Sequence, residues 1–212
     1  MMMMVLMAAL AAAAELPDTL ARPAEAVARP AQAVLLGVAA AGGRLVAVGE
    51  RGLITISDDQ AANWRQVPVP VSVSLTALSF PTPRRGWAVG HRGVVLASRD
   101  GGSSWTVQLD GQRFAALANN EALVRDGADK PFLDVSFADE RHGLAVGAYG
   151  LCARTEDGGA SWVSCMGQLP NPRGAHLYAI ARSGQTVYIA GEQGLLLRSD
   201  DGAAQAAEQQ LA

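Results

Sequence analysis

The sequence is short of aromatic residues, of charge and of lysine. Aromatics make up 5% of its 212 residues, so a core must come from Val, Leu, Ile and Ala. Charged residues make up 17%, against about 25% in an average domain. The formal net charge is −3, which argues against an electrostatic nucleic-acid binder, and no nucleic-acid partner is expected. Cationic charge is almost all arginine, because Lys130 is the only lysine. Two cysteines are too few for a disulfide-built scaffold, and no Cys or His lies near them at metal-ligand spacing, so no metal is expected. Half of the chain is apolar, which excludes disorder as a whole.

Apolar runs are short as well. Residues 1–14 (MMMMVLMAALAAAA) form the longest, too short for a mature transmembrane helix. They match the apolar region of a signal peptide, with Ala12-Ala13-Ala14 as a small-x-small cleavage site before Glu15. No Lys or Arg precedes the run. The reading is export to a periplasmic or thylakoid-lumen-like space, with a weak membrane tether if the signal is retained. Residues 15–34 carry Pro17, Pro23 and Pro30 and read as a linker.

Glycine is what the chain has in excess, and it falls in register. Segments 45–64 (LVAVGERGLITISDDQAANW), 86–105 (GWAVGHRGVVLASRDGGSSW), 143–162 (GLAVGAYGLCARTEDGGASW) and 187–206 (VYIAGEQGLLLRSDDGAAQA) align without a gap. Gly49, Gly90, Gly147 and Gly191 share one column, and Gly52, Gly93, Gly150 and Gly194 another. Each unit reads as four short strands: an apolar strand, a WAVG-like strand, a G-x-x-G reversal, a GVVLAS-like strand, a polar turn, and a last strand opened by Trp. That is the pattern of a propeller blade, so the fold class is all-β, a β-propeller of four-stranded antiparallel blades over 35–202 with about four repeats. The third repeat lies further from the second than the second from the first; the extra residues, 114–129, read as a helix-like insertion between blades. Residues 203–212 read as a disordered or short helical tail.

The polar turn follows S/T-x-D-x-G-x-S/T-W. Ser98, Asp100, Gly102 and Trp105 fill it once, and Thr155, Asp157, Gly159 and Trp162 again. The Asp accepts backbone N–H groups of its own turn, Gly supplies positive φ, the hydroxyls bond back, and Trp closes the blade with an apolar face. Asp58–Trp64 is a copy lacking Gly, and 200–206 one lacking Trp. Cys152 and Cys165 are centred on the third polar turn, which places the thiols opposite each other in a hairpin and allows a disulfide; two buried free thiols are the alternative.

This polar turn resembles the Asp-box, or BNR, repeat. Together with G-W-A-V-G-x-x-G it resembles the photosystem II stability/assembly factor-like family of exported propellers. The resemblance implies structural Asp-boxes, no cofactor, no small-molecule substrate, and a scaffold or assembly factor whose protein partner belongs to a membrane complex. In a non-photosynthetic host that complex would be a different one. A closed propeller of six or seven blades needs roughly 250 to 300 residues, so the chain is read as a truncated propeller. In a four-stranded meander the G-x-x-G turns share a face with the blade-to-blade connections. Their variable tips are therefore the candidate partner-binding residues: Glu50, Arg51, His91, Arg92, Tyr149 and Glu192. No catalytic residues are assigned. Two other readings remain: a sialidase-like glycosidase, because Tyr149, Glu192, Arg51 and Arg92 could share one rim, and a non-functional propeller fragment.

Overall fold

The computed structural model describes residues 18–118, 129–201 and 207–208. The leader at 1–14, most of the tail and the middle of the insertion lie outside them. Four sheets follow one another along the chain, each a four-stranded antiparallel meander. Blade 1 is β1(Leu35–Ala41), β2(Arg44–Gly49), β3(Ile54–Ser57) and β4(Arg65–Gln66). Blade 2 is β5(Leu75–Ser79), β6(Gly86–Gly90), β7(Val95–Ser98) and β8(Thr106–Leu109). Blade 3 is β9(Phe132–Phe137), β10(Gly143–Gly147), β11(Cys152–Thr155) and β12(Val163–Ser164). Blade 4 is β13(Leu177–Ser183), β14(Thr186–Gly191), β15(Leu196–Ser199) and β16(Ala207–Glu208). Among the described residues one α-helix, α1(Gly111–Ala118), leads from blade 2 toward blade 3 and runs into the insertion.

The core is three layers, one between each pair of successive blades. Side chains alternate across a strand, so every blade has a forward and a backward face. Val46, Val48, Ile54 and Ile56 face forward from blade 1 and meet Ala88, Val94, Leu96 and Trp105 of blade 2. Trp87, Val89, Val95 and Ala97 of blade 2 meet Ala145, Leu151, Ala153 and Trp162 of blade 3. Leu144, Val146 and Cys152 of blade 3 meet Val187, Ile189, Leu195 and Leu197 of blade 4. In the second layer Phe137 stacks on Trp87 with centroids 3.6 Å apart, a pairing that contributes about 1 kcal/mol beyond its buried area. Polar stitches join the inner strands: Thr76 Oγ1 donates to Phe132 O at 2.8 Å, and the Phe137 N–H to Ser79 Oγ at 3.0 Å. The segment read as a linker lies along blade 1. Its Leu20 and Ala24 pack on the first layer, and the Ala24 N–H donates to Val69 O.

The polar turns are built alike. In blade 2, Asp100 Oδ1 accepts the Ser104 N–H and the Ser98 hydroxyl, each at 2.9 Å. Ser98 Oγ accepts the Gly102 N–H at 2.8 Å, and Trp105 Nε1 donates to Gly102 O at 3.0 Å. In blade 3, Asp157 accepts the Ser161 N–H and hydroxyl, and the hydroxyl of Thr155. The Ser161 hydroxyl is the largest influence holding the Asp157 carboxyl down at about 2. Gly102 and Gly159 are required twice over. Each has φ of 83°, and a Cβ would lie 3.1 Å from Val46 or 2.0 Å from Gln108, both on the preceding blade. Gln108 bridges the two blades, accepting from Trp87 Nε1 and donating to Gly158 O. Blade 1 has no preceding blade among the described residues, and its turn keeps the same bonds with Gln60 and Ala61 at φ of 57° and 71°.

Cys152 and Cys165 are joined by a disulfide, with Cα atoms 5.0 Å apart across β11 and the end of β12. The Cys165 N–H donates to Cys152 O, extending the ladder of that hairpin.

Two outcomes follow for stability. Ala61→Gly relieves a left-handed alanine and should raise the unfolding free energy in urea by up to about 1 kcal/mol, while Gly159→Ala should lower it by about 2 kcal/mol. Asp157, with its carboxyl held low in the folded state, contributes stability that is fully present above the ordinary carboxylate range and is lost as pH falls toward 2. Melting curves between pH 5 and pH 2 should therefore fall less steeply for Asp157→Asn than for the parent, and parallel curves would exclude that contribution.

Candidate binding face at the G-x-x-G turns

Each G-x-x-G turn is forced by a close approach. The N–H after the first glycine donates to the carbonyl just before or at the start of its blade's inner strand: Glu50 to Val34, His91 to Ser74, Ala148 to Pro131 and Glu192 to His176. A Cβ on Gly49, Gly90 or Gly147 would lie 2.1 to 2.2 Å from that carbonyl oxygen. The turn then places its second variable residue in the left-handed region: Arg51 at φ 53°, Arg92 at 59°, Tyr149 at 57° and Gln193 at 55°. One backbone shape thus presents arginine twice, tyrosine and glutamine. Helix α1 lies on the same side as these turns, with Gly111 against Gly93.

The candidate residues have separate surroundings. Arg51 and His91 are exposed. Arg92 is a strut, its guanidinium hydrogen-bonded to the Asp18 carboxylate and to Thr19 Oγ1 at 3.3 Å. Glu50 is half-buried in blade 1. Tyr149 and Glu192 come together through His176. The Tyr149 N–H donates to His176 Nδ1 at 2.7 Å, and the His176 N–H donates to Glu192 Oε2 at 2.9 Å.

Three members of this cluster lie outside the G-x-x-G turn columns: Lys130, His176 and Tyr178. The His176 ring meets Tyr149 edge-on at 4.6 Å and Tyr178 at 6.2 Å. Lys130 Nζ sits 5.3 Å from the Tyr149 ring centre, within cation–π range. The Tyr178 hydroxyl is raised above its ordinary value by desolvation and then by the charge and hydrogen bond of Glu192. Tyr149 is 56% exposed and Tyr178 50%, so two aromatic rings stand at the surface of blades 3 and 4 with a lysine beside them. The alternation in β13 carries a signal for Tyr178, since Leu177 next to it is fully buried.

The opposite face carries the polar turns. There Arg44 of blade 1 donates to Gly101 O at 3.1 Å and Ser103 Oγ at 2.7 Å of blade 2, and pairs with Asp58. Asp139 accepts the ring of His142 and the N–H groups of Arg141 and His142; the His142 side chain is the main cause holding its carboxyl at about 2. Among the described residues no group of three or more His, Cys, Asp or Glu could hold a metal ion, and no helix is long and apolar enough to cross a membrane.

Known proteins match this architecture. The family model described as photosynthesis system II assembly factor YCF48 matches residues 56–124 and 115–211. The photosystem II assembly lipoprotein Ycf48 of Synechococcus sp. (strain CC9902) is 44% identical over 70 residues, 33% of this chain and 21% of that protein. The structure of YCF48 from Cyanidioschyzon merolae superposes with a TM-score of 0.61 at 17% identity, covering 85% of this chain and 57% of that one. A GH74 enzyme of Niastella koreensis superposes at 0.57 with 16% identity, covering 84% and 30%, a likeness of fold alone. The chain thus spans well under two thirds of each of these proteins. With the family model matched over more than half of the sequence, the chain belongs to the photosynthesis system II assembly factor YCF48 family.

Proposed function

We propose that this chain is a non-catalytic propeller scaffold, exported from the cytoplasm, that holds a protein partner against the face of its G-x-x-G turns. The observation that carries this reading is the constant turn with variable tips. A rigid backbone repeated four times, differing only in the side chains it offers, is a recognition surface. Tyr149 and Tyr178 supply exposed rings of the kind that anchor protein interfaces, with Glu192 beside them and Glu50, Arg51 and His91 further along the same face. Arg92 takes part through its hold on Asp18. The Asp-box residues act as structure.

The partner is a subunit of a membrane complex. The Synechococcus relative is named an assembly lipoprotein of photosystem II, which supports photosystem II as that complex where the host has one, and a different complex where it does not. The lipoprotein name and the Cys152–Cys165 disulfide support export to an oxidising space. A sialidase-like site would need Tyr149, Glu192, Arg51 and Arg92 to converge on one sugar. Arg92 is instead engaged by Asp18, Glu192 by the His176 N–H, and Arg51 stands two blades from Tyr149.

A photo-cross-linking residue in place of Tyr149, with the purified chain added to host membranes, tests the reading. Adducts with a membrane-complex subunit should exceed those from the same group in place of Arg99, on the opposite face, by at least tenfold. Tyr149→Ala combined with Arg51→Ala should lower co-isolation of that subunit by a similar factor. Equal labelling from both faces would sink the assignment.

A further inference from the structure

The interface between blades 3 and 4 departs from the other two in a coordinated way. Blades 2 and 3 close their backward edge with two aromatic rings each. Phe80 and Trp105 meet at 6.0 Å, and Phe137 and Trp162 at 6.1 Å. In blade 4 Arg182 pairs with Val187 as Phe137 pairs with Gly143, so arginine stands where blades 2 and 3 have Phe80 and Phe137, and the sequence has Ala206 in the Trp column. On the facing blade, Arg154 takes the position that Ile56 and Ala97 hold in blades 1 and 2. Two apolar positions of this interface are taken by arginine.

The result is a cleft of about 470 Å³ opening on the Asp-box face. Arg154 and Arg182 both line it, with Leu144 as an apolar wall. Arg182 is half-buried. Its described partners are neutral: Nε donates to Ser136 Oγ at 2.9 Å and Nη2 to Ser136 O at 3.5 Å. Among the described residues it has no carboxylate within 4.0 Å, although Asp139 lies near enough to favour its charge. The carboxylates of the cleft have their own partners: Asp139 holds His142, Glu156 holds Arg154 Nη1 at 2.9 Å, and Asp201 accepts the Ser199 hydroxyl. Arg154 Nε is enclosed and has no hydrogen-bond partner. Arginine stays charged, and a partly desolvated guanidinium with only neutral acceptors favours an anion that presents two coplanar oxygens.

We propose that this cleft is a second recognition site, one that takes a carboxylate of a partner polypeptide between Arg182 and Arg154. It rests on the reading of the chain as a protein-binding scaffold and adds a contact on the face opposite the G-x-x-G turns. The Arg154–Glu156 pair is exposed on its Glu156 side, so an incoming carboxylate can share or displace it. The carboxylate is that of an acidic side chain or of a chain terminus, since both present the same two oxygens.

The test uses the full chain and three acetylated peptides: amidated tetraglutamate, amidated tetraglutamine, and tetraalanine with a free terminus. Binding is read by titration calorimetry and by the arginine Nε–H resonances. Tetraglutamate should bind and shift the Arg182 and Arg154 signals, and tetraglutamine should not. If tetraalanine binds instead, the site takes a chain terminus and the carboxylate assignment stands. Arg182→Phe restores the ring that blades 2 and 3 carry. It should melt no lower than the parent and lose at least tenfold in affinity, and Arg182→Gln should lose as much without adding a ring. Undiminished affinity in both variants, or no response of Arg182 to any peptide, overturns the proposal. Failure here leaves cross-linking from position 149 untouched, whereas loss of that cross-link with intact tetraglutamate binding removes the scaffold reading alone.

Discussion

Face-to-face burial between neighbouring blades is the constraint on which the rest of this molecule depends. A four-stranded meander with last strands of two to four residues cannot bury either of its faces alone. Val46 and Ile54 become core only because Ala88 and Leu96 arrive from the next blade, and the same holds for Trp87 against Ala153. Stability is therefore a chain of nearest-neighbour terms, as in other repeat architectures. Glycine follows from the same demand. Gly102 and Gly159 are bare because a side chain of the preceding blade occupies the space a Cβ would take, and the first glycine of each G-x-x-G turn is bare because the carbonyl just ahead of the inner strand lies against it.

Rigidity on one face frees variation on the other. The Asp-box face is densely hydrogen-bonded, with Arg44 reaching from blade 1 into the turn of blade 2 and Gln108 from blade 2 into that of blade 3. The G-x-x-G face holds its backbone by main-chain bonds and glycine, so its tips carry no structural duty and can differ. Arg92 and Glu192 are exceptions, because Arg92 ties the segment ahead of blade 1 to blade 2 and Glu192 accepts the His176 N–H.

The fold was legible because its signals are local. Glycine columns, the D-G-G-x-S-W turn and two-residue alternation each report a short-range requirement, and all repeat in register. The hairpin geometry of Cys152 and Cys165 was legible for the same reason. The candidate face was only half legible. Sequence identified Tyr149 and Glu192 as turn tips but gave no hint that His176 links them, since that link joins a turn to the residue just ahead of β13. Lys130 escaped because it lies between the insertion and β9, outside every repeated column. Arg92 read as a surface cation because its partner, Asp18, is 74 positions away in a segment without periodicity. The cleft between blades 3 and 4 is legible only in retrospect: the register of β13 marks Arg182 as out of pattern, but the volume it lines depends on how two blades meet.

One compositional accident gives this surface a chemical address. Lys130 is the only lysine in the chain, and its amine lies over the ring of Tyr149. Apart from the α-amino group, every amine-directed reagent therefore reports on one spot of one face. A fluorophore or a solid support attached there needs no engineered cysteine and leaves the disulfide of blade 3 intact. The same uniqueness sets the orientation of an immobilised molecule, holding it by the G-x-x-G face with the Asp-box face turned to solution.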